Sequence, residues 1–304
     1  GAVMLLLKRT FLPKHIRGDV RGRPARSGAR QEVGASSLAP RRKPLSSDRV
    51  SSSGHVAKVL LRDVGQAVAL NSTVFILGYK ALSSGLSNAA IVHSWVLGTA
   101  CLAAFQWKGY VLVCLYFVAG TLVTKVGKRI KMEEGTYERN EGKRTPASVW
   151  GSGFAAFVCA LLALWFAEEE RLCALLRAGF VASFASKLSD TVASEIGKAY
   201  GKTTILISTM RPVPRGTDGA ISVEGTMAGL VASGVYVVFA LMLGLVNTAG
   251  AVACTVAAFL ANNFESLLGA TVQQKYDLLN NDVVNMSQIS VAALSAALFL
   301  SLLG

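Results

Sequence analysis

Apolar runs bounded by charged residues recur along the chain after residue 60. Read as helices, they place candidate membrane spans at residues 64–82, 88–106, 109–125, 147–167, 172–188, 222–246, 250–268 and 285–303. The most decisive run is 225–264, which carries no formal charge. At ~1.5 Å per residue a single helix of that length would measure about 60 Å, twice the ~30 Å hydrocarbon core. Two spans must therefore be packed there, with Asn247, Thr248, Ala249 and Gly250 at the turn. The first segment is short, and the fifth carries Arg177 and ends at Lys187. The pattern predicts an all-α fold, a polytopic transmembrane helical bundle of about six to eight spans.

Threading these segments back and forth puts loops 126–146, 189–221 and 269–284 on one face. That face collects most of the loop Lys and Arg residues, whereas the opposite face holds Lys108 and Arg171. By the positive-inside rule the motif face is cytoplasmic, or stromal in a plastid. Lys58 and Arg62 would then lie on the wrong side, which fits a first segment that is only an interfacial helix.

Composition agrees with a membrane protein. Of 304 residues, 52% are hydrophobic and 16% charged, and the mean hydropathy is +0.46, which excludes an ordinary water-soluble globule. The net charge of +13 changes the picture less than its size suggests. Residues 1–60 hold 13 Lys/Arg against 3 Asp/Glu, leaving 18 basic and 15 acidic residues elsewhere. So balanced a body argues against nucleic acid as a partner, because a binder's basic patch sits on the folded domain. Residues 1–60 are rich in Arg and Ser and poor in acid, the composition of an organelle transit peptide; a disordered basic tail has it too. They are set aside as a leader, and residues 61–304 are expected to form the integral membrane domain.

The five cysteines show no CxxC spacing and lie in apolar segments, so they predict packing residues and no disulfide, zinc or iron–sulfur site. His93 stands alone within a span, where packing and proton handling are both open. The mixed-sign insertion 126–146 suits a solvated helix, with an anionic-lipid or substrate contact as the alternative.

The chemistry concentrates between Ser189 and Gly219, where Lys198, Lys202, Arg211 and Arg215 mix with Asp190, Glu195 and Asp218. Charges beside a bilayer are costly and usually functional. Asp190, Ser194 and Lys198 are spaced i, i+4, i+8, so a helix continuing out of the fifth span stacks them on one face. Asp190 and Glu195 lie about 140° apart, flanking that face, as suits one metal-directed carboxylate and one orienting group. A helix cap with surface ion pairs explains the same residues. Gly197 and Gly201 leave the backbone open to a phosphate or to a close helix. Three residues separate these glycines where a P-loop needs four, so a Walker fold is rejected.

Downstream, Pro212 and Pro214 stiffen a loop whose Arg211 and Arg215 offer bidentate phosphate contacts and whose Gly216 and Gly219 permit close backbone approach. Glu224, beside Gly225 and Thr226, is the last charge before the neutral run; it suits a Mg²⁺ or nucleotide contact, or a helix-start acid. Glu265 interrupts an apolar run and needs a partner, for which Lys187, Lys198 or a shared metal are the candidates. Asp282, on the residues alone, reads first as an ordinary loop acid.

These segments carry a resemblance. SDTVASEIGKAYG, RPVPRGTDGAISVEGT, FESLLGATVQQ and NNDVVN, with ALSSGLSNAA earlier, resemble the integral-membrane family that contains plant phytyl-phosphate kinase of the vitamin E pathway and animal transmembrane protein 19. The likeness covers roughly residues 66–303. More distantly, the Asp-bearing helix with its GK/YG step and the later Glu224-Gly225-Thr226 are similar to CTP-dependent polyprenol and phytol kinases. The resemblance implies a nucleoside triphosphate, with CTP favoured, and Mg²⁺ as cofactors. It implies roles for Asp190, Ser194, Glu195, Gly197, Gly201, Arg215, Gly216, Thr217, Gly219, Glu224, Gly225 and Thr226, and for Glu265, Ser266, Gly269, Asn281 and Asp282. Family members often have Asp where this chain has Glu265, a longer arm of the same charge.

The expectation is a multi-pass chloroplast membrane enzyme that phosphorylates a prenyl phosphate lipid, phytyl phosphate, to the diphosphate for tocopherol and phylloquinone synthesis. Asp190, Glu195, Ser194 and Lys198 are the expected catalytic residues. Gly197, Gly201, Lys202, Arg211, Arg215, Gly216, Thr217, Gly219, Gly225 and Thr226 are expected to bind phosphate, and Asp190, Glu195, Glu224, Glu265 and Asp282 to hold metal. A transporter or scaffold, or another lipid-phosphate transferase such as a cytidylyltransferase, are the alternatives.

Overall fold

The computed structural model describes residues 48–137, 143–273 and 280–303. The chain separates into two units, Gly1–Lys58 and Val59–Gly304, and the second carries the helix bundle. The leader expected over residues 1–60 lies outside the described residues as far as residue 47.

In chain order the helices are α1 (Asp48–Leu77), α2 (Tyr79–Gly85), α3 (Asn88–Thr124), α4 (Lys128–Glu133), α5 (Pro146–Trp165), α6 (Glu170–Tyr200), α7 (Val223–Met242), α8 (Thr248–Thr271) and α9 (Asn281–Leu303). Two three-residue strands, β1 (Thr204–Leu206) and β2 (Ala220–Ser222), lie between α6 and α7. Four long helices start where the sequence supplies a cap. Ser87 accepts from the Ala90 N–H, Thr145 from Ser148 with Pro146 at the first turn, Ser222 from Gly225 and Asn247 from Gly250. Each cap satisfies a donor that a helix start leaves unpaired.

The 37 residues of α3 would span about 55 Å if straight, too far for one crossing. Gln106 breaks the helix with φ 55 and ψ −162, and the chain doubles back. A Cβ at Gly98 would lie 3.4 Å from the Tyr110 ring, and one at Gly85 would lie 3.2 Å from both Phe117 and Thr121. Neither approach is possible along one straight helix, so 88–105 and 107–124 are antiparallel legs that match the second and third expected spans.

Among the described residues six helices, α3 and α5 to α9, are long and apolar enough to cross a membrane. With α3 doubled, the described residues supply seven segments able to cross, and the protein is an all-α, multi-span membrane bundle. The first expected span, 64–82, is not among these helices: α1 ends at Leu77 and α2 begins at Tyr79, with the Gly78 N–H bonded to the Val74 carbonyl four residues back. The apolar part of α1, Asp63–Leu77, reaches ~22 Å, short of the hydrocarbon core. The other addition to an all-α reading is the antiparallel pairing of β1 with β2, Thr204 opposite Ser222 and Leu206 opposite Ala220, which folds the loop between α6 and α7 back on itself.

α6 is the central helix: 72% of its apolar window is buried, against 28–50% in the other five. Phe180 and Phe184 on α6 stack against Phe105 and Tyr116 of the two α3 legs, with ring centroids 4.5 and 5.1 Å apart. On another side α7 crosses backbone to backbone. A Cβ at Gly225 would lie 2.4 Å from the Ala193 carbonyl oxygen, and one at Gly229 would lie 2.6 Å from that of Ser189. Such small residues at i, i+4 let membrane helices approach where no hydrophobic force drives them together. The starts of α5, α7 and α9 and the ends of α6 and α8 thereby meet at one end of the bundle. The Gln106 turn, the start of α6, the 244–247 turn and the end of α9 meet at the other.

Candidate functional site

α6 runs unbroken past its last apolar turn to Tyr200. Helical spacing therefore sets Asp190, Ser194 and Lys198 in one stripe, and all three line a cleft of about 550 Å³. Gly197 lies in the same wall. The proline-stiffened loop contributes Arg215, Gly216, Thr217, Asp218 and Gly219; α7 contributes Thr226; α8 contributes Asn262, Glu265 and Ser266; α9 contributes Asn281, Asp282 and Asn285. Lys143 and Arg144 complete the rim just before α5. Five cations (Lys143, Arg144, Lys187, Lys198, Arg215) thus share one concavity with four carboxylates (Asp190, Asp218, Glu265, Asp282).

The charged groups are held in place by specific partners. Buried Lys187 donates to Asp190 and, at 2.9 Å, to Asn285 Oδ1, tying α6 to α9. Glu265 accepts from the Ser266 hydroxyl at 3.5 Å and lines the same cleft as Asp190, Lys187 and Asp218. The Arg215 guanidinium donates to the Gly201 carbonyl and to Glu134 Oε1, both at 2.8 Å, which leaves further N–H donors for a ligand. Arg144 donates to the Tyr116 hydroxyl at 2.9 Å and to Ser152 Oγ at 3.3 Å, with its guanidinium 5.5 Å from the Tyr116 ring centroid. Gly219 has φ +73, and a Cβ there would lie 2.3 Å from the Ala270 nitrogen and 2.5 Å from the Ser266 carbonyl oxygen. Only glycine allows the loop to lie this close to α8.

Several residues singled out from the sequence stand elsewhere. Glu195 is 1% exposed and points away from the cleft, ion-paired with Lys131, itself 0% exposed, and with Lys198 at 3.3 Å. The ~140° offset from Asp190 that follows from helix geometry turns its carboxylate into the protein. Gly201 and Gly225 are packed against Ser222 and Ala193 and do not line the cleft. Lys202 and Arg211 are exposed, and neither they nor Glu224 line the cleft. Among the described residues no group of three or more His, Cys, Asp or Glu side chains is arranged to hold a metal ion. Of the five acids expected to hold metal, Asp190, Glu265 and Asp282 line the cleft and Glu195 and Glu224 do not.

Other residues at the site carried no signal in the sequence. Lys131 belongs to the insertion read as a solvated surface, yet it is wholly buried and also donates to the Thr124 carbonyl at 2.7 Å. Its partner Glu195 is 64 positions away, and nothing local pairs them. Arg144 and Lys143 flank the Thr145-Pro146 cap, so they stand at the cleft mouth because a helix starts there. Asn285 was legible only as a polar residue at the head of an apolar helix. Chemically, cations alongside carboxylates in a concave site suit a polyphosphate and the divalent ion that accompanies it.

A family model described as "Integral membrane protein DUF92" matches residues 71–293. The chain is 46% identical to "Protein VTE6, chloroplastic" of Arabidopsis thaliana over 234 residues, 76% of this chain and 70% of the relative. It is 47% identical to "Uncharacterized membrane protein sll0875" of Synechocystis over 219 residues, 72% of this chain and 84% of that one. A third relative, "Uncharacterized membrane protein MJ0933" of Methanocaldococcus jannaschii, is 30% identical over 66% of this chain and 80% of its own length. No solved structure matches the chain at a significant level.

Proposed function

The chain belongs to the DUF92 family of integral membrane proteins, and from that premise we propose that it is a prenyl-monophosphate kinase. In this reading the terminal phosphoryl group of a nucleoside triphosphate, CTP favoured, passes to phytyl phosphate and gives phytyl diphosphate. The observation that carries the reading is the cleft, where five cations and four carboxylates converge at the ends of apolar helices. A prenyl phosphate has a lipid-soluble tail and a charged head, and this placement matches both. The motif resemblance to the phytyl-phosphate kinase family supports the substrate. The Arg- and Ser-rich leader and the word chloroplastic in the name of the Arabidopsis relative support a plastid membrane.

The acceptor's phosphate oxygen attacks the γ-phosphorus in line, and the bond from that phosphorus to the β–γ bridging oxygen breaks. The nucleoside diphosphate leaves with the bonding pair. Because the attacking oxygen is already anionic, no strong general base is needed, and catalysis is positioning and charge stabilisation. Lys198, Arg215, Lys143 and Arg144 neutralise phosphate oxygens, and Thr226 offers a hydroxyl donor. One or two of the cleft carboxylates Asp190, Glu265 and Asp282 would hold Mg²⁺, which when bound would neutralise charge on the polyphosphate. The absence of a three-acid cage among the described residues is compatible with this ion, which commonly takes one or two carboxylates and completes its shell with phosphate oxygens and water. Glu195 acts from behind, setting the position of Lys198.

The test is product analysis with purified, membrane-reconstituted protein, phytyl phosphate and each γ-labelled triphosphate in turn. The reading expects label in a lipid diphosphate and release of the nucleoside diphosphate. Release of pyrophosphate with a nucleotidyl lipid would assign a cytidylyltransferase instead, and no consumption of any donor would reject the enzyme reading in favour of a transporter or scaffold.

A further inference from the structure

The end of the bundle away from the motif cleft contains a second pocket, of about 850 Å³, that the kinase reading does not use. Three cations line it from separate elements: Lys108 just after the Gln106 turn, and Arg171 and Arg177 on the first turns of α6. No Asp or Glu lines this pocket. Among the described residues none of the three makes a side-chain hydrogen bond or an ion pair. Glu170 shares only the adjoining cleft with the two arginines.

Arg171 stands exposed at the rim and Arg177 lies deeper. The two are set about 120° apart around α6, both line the pocket, and the small Ala174 between them leaves space in front of them. The turn across the pocket passes through Gly244 at φ +69, where a Cβ would lie 3.6 Å from the Lys108 ammonium. Arg177 is half-buried in the most enclosed helix, where a lone guanidinium carries a desolvation cost that an anion would offset. The rest of the wall is apolar: Phe105, Leu175, Leu245, Val246 and Leu300. Along α6 this site stands about 20 Å from Asp190 by helical rise.

We propose that this pocket binds a phosphate-bearing anion, with Arg171 and Arg177 contacting the phosphate oxygens and Lys108 closing the site from the opposite turn. Guanidinium groups suit phosphate because they donate in a planar fork. The anion is the headgroup of an anionic phospholipid, whose chains would lie on the apolar wall, or free inorganic phosphate. The proposal does not rest on the kinase reading, since it concerns other residues and is read out without turnover.

Native mass spectrometry of the purified full chain tests it, after exposure to phosphatidylglycerol, to phosphatidylcholine, or to inorganic phosphate. The expected result is retention of phosphatidylglycerol over phosphatidylcholine, or of phosphate alone, with occupancy falling about tenfold or more in Lys108→Gln with Arg177→Gln. Arg177→Lys keeps the charge but not the planar fork, and its occupancy should fall between those of the wild type and the double variant. Lys202→Gln, exposed and outside both pockets, should leave this occupancy unchanged. Equal retention by the double variant and the wild type overturns the proposal, as does an equal loss caused by Lys202→Gln alone.

Discussion

The two ends of the bundle carry charge in different ways. At the motif end five cations stand among four carboxylates, and Lys187, Lys198, Arg144 and Arg215 have named hydrogen-bond partners. At the other end three cations surround a pocket that no carboxylate lines. Holding an anion requires only the second arrangement. Transferring a phosphoryl group between two anions requires the first, because repulsion must be neutralised while a divalent ion is also kept in place. The pocket volume, larger at the basic end, is not what distinguishes the two ends; the mixture of signs and its fixed geometry are.

The largest way to disturb this contrast is to remove the support behind the motif cleft. Lys131→Met should destabilise the protein by about 3–5 kcal/mol, since it strips a buried carboxylate of its main counter-charge. An SDS unfolding titration measures the loss, and the added substitution Glu195→Leu should recover part of it. Next, Asp190→Asn should lower phosphoryl transfer by ~10²–10³-fold, with far-ultraviolet circular dichroism confirming an intact helical fold. Arg215→Gln should cost about 10- to 100-fold in kcat/KM, equivalent to ~1.5–3 kcal/mol for a hydrogen bond to a charged group. At the small end, Lys202→Gln and Glu224→Gln should each stay within about twofold of wild-type turnover, as surface substitutions away from a site usually do. A large loss in either would move the reactive centre out of the cleft.

Spacing made much of the motif end legible. The i, i+4, i+8 pattern of Asp190, Ser194 and Lys198 needs only that α6 continue as a helix, and all three line the cleft. The doubling of α3 was equally readable, because 37 residues exceed one bilayer and the apolar run is interrupted near Lys108. Local sequence could not tell which way Glu195 turns, because the answer depends on Lys131, 64 positions earlier. Nor could it separate Gly219, which the loop needs for close approach to α8, from Gly225, which serves helix packing. Both are glycines beside charges, and only the packed neighbour distinguishes them. The small β1–β2 pair escaped for a related reason: strands of three residues carry too little alternation to read.

The central claim is that nucleotide chemistry belongs to the end where both signs of charge meet. Photo-crosslinking with a photoreactive nucleoside triphosphate, followed by peptide mapping of the reconstituted protein, tests it most directly. The account predicts adducts on peptides that contain residues 187–198 or 215–226, competed away by unlabelled triphosphate and lost in Arg215→Gln. Competable adducts on residues 104–108, 171–177 or 244–247 instead would contradict it.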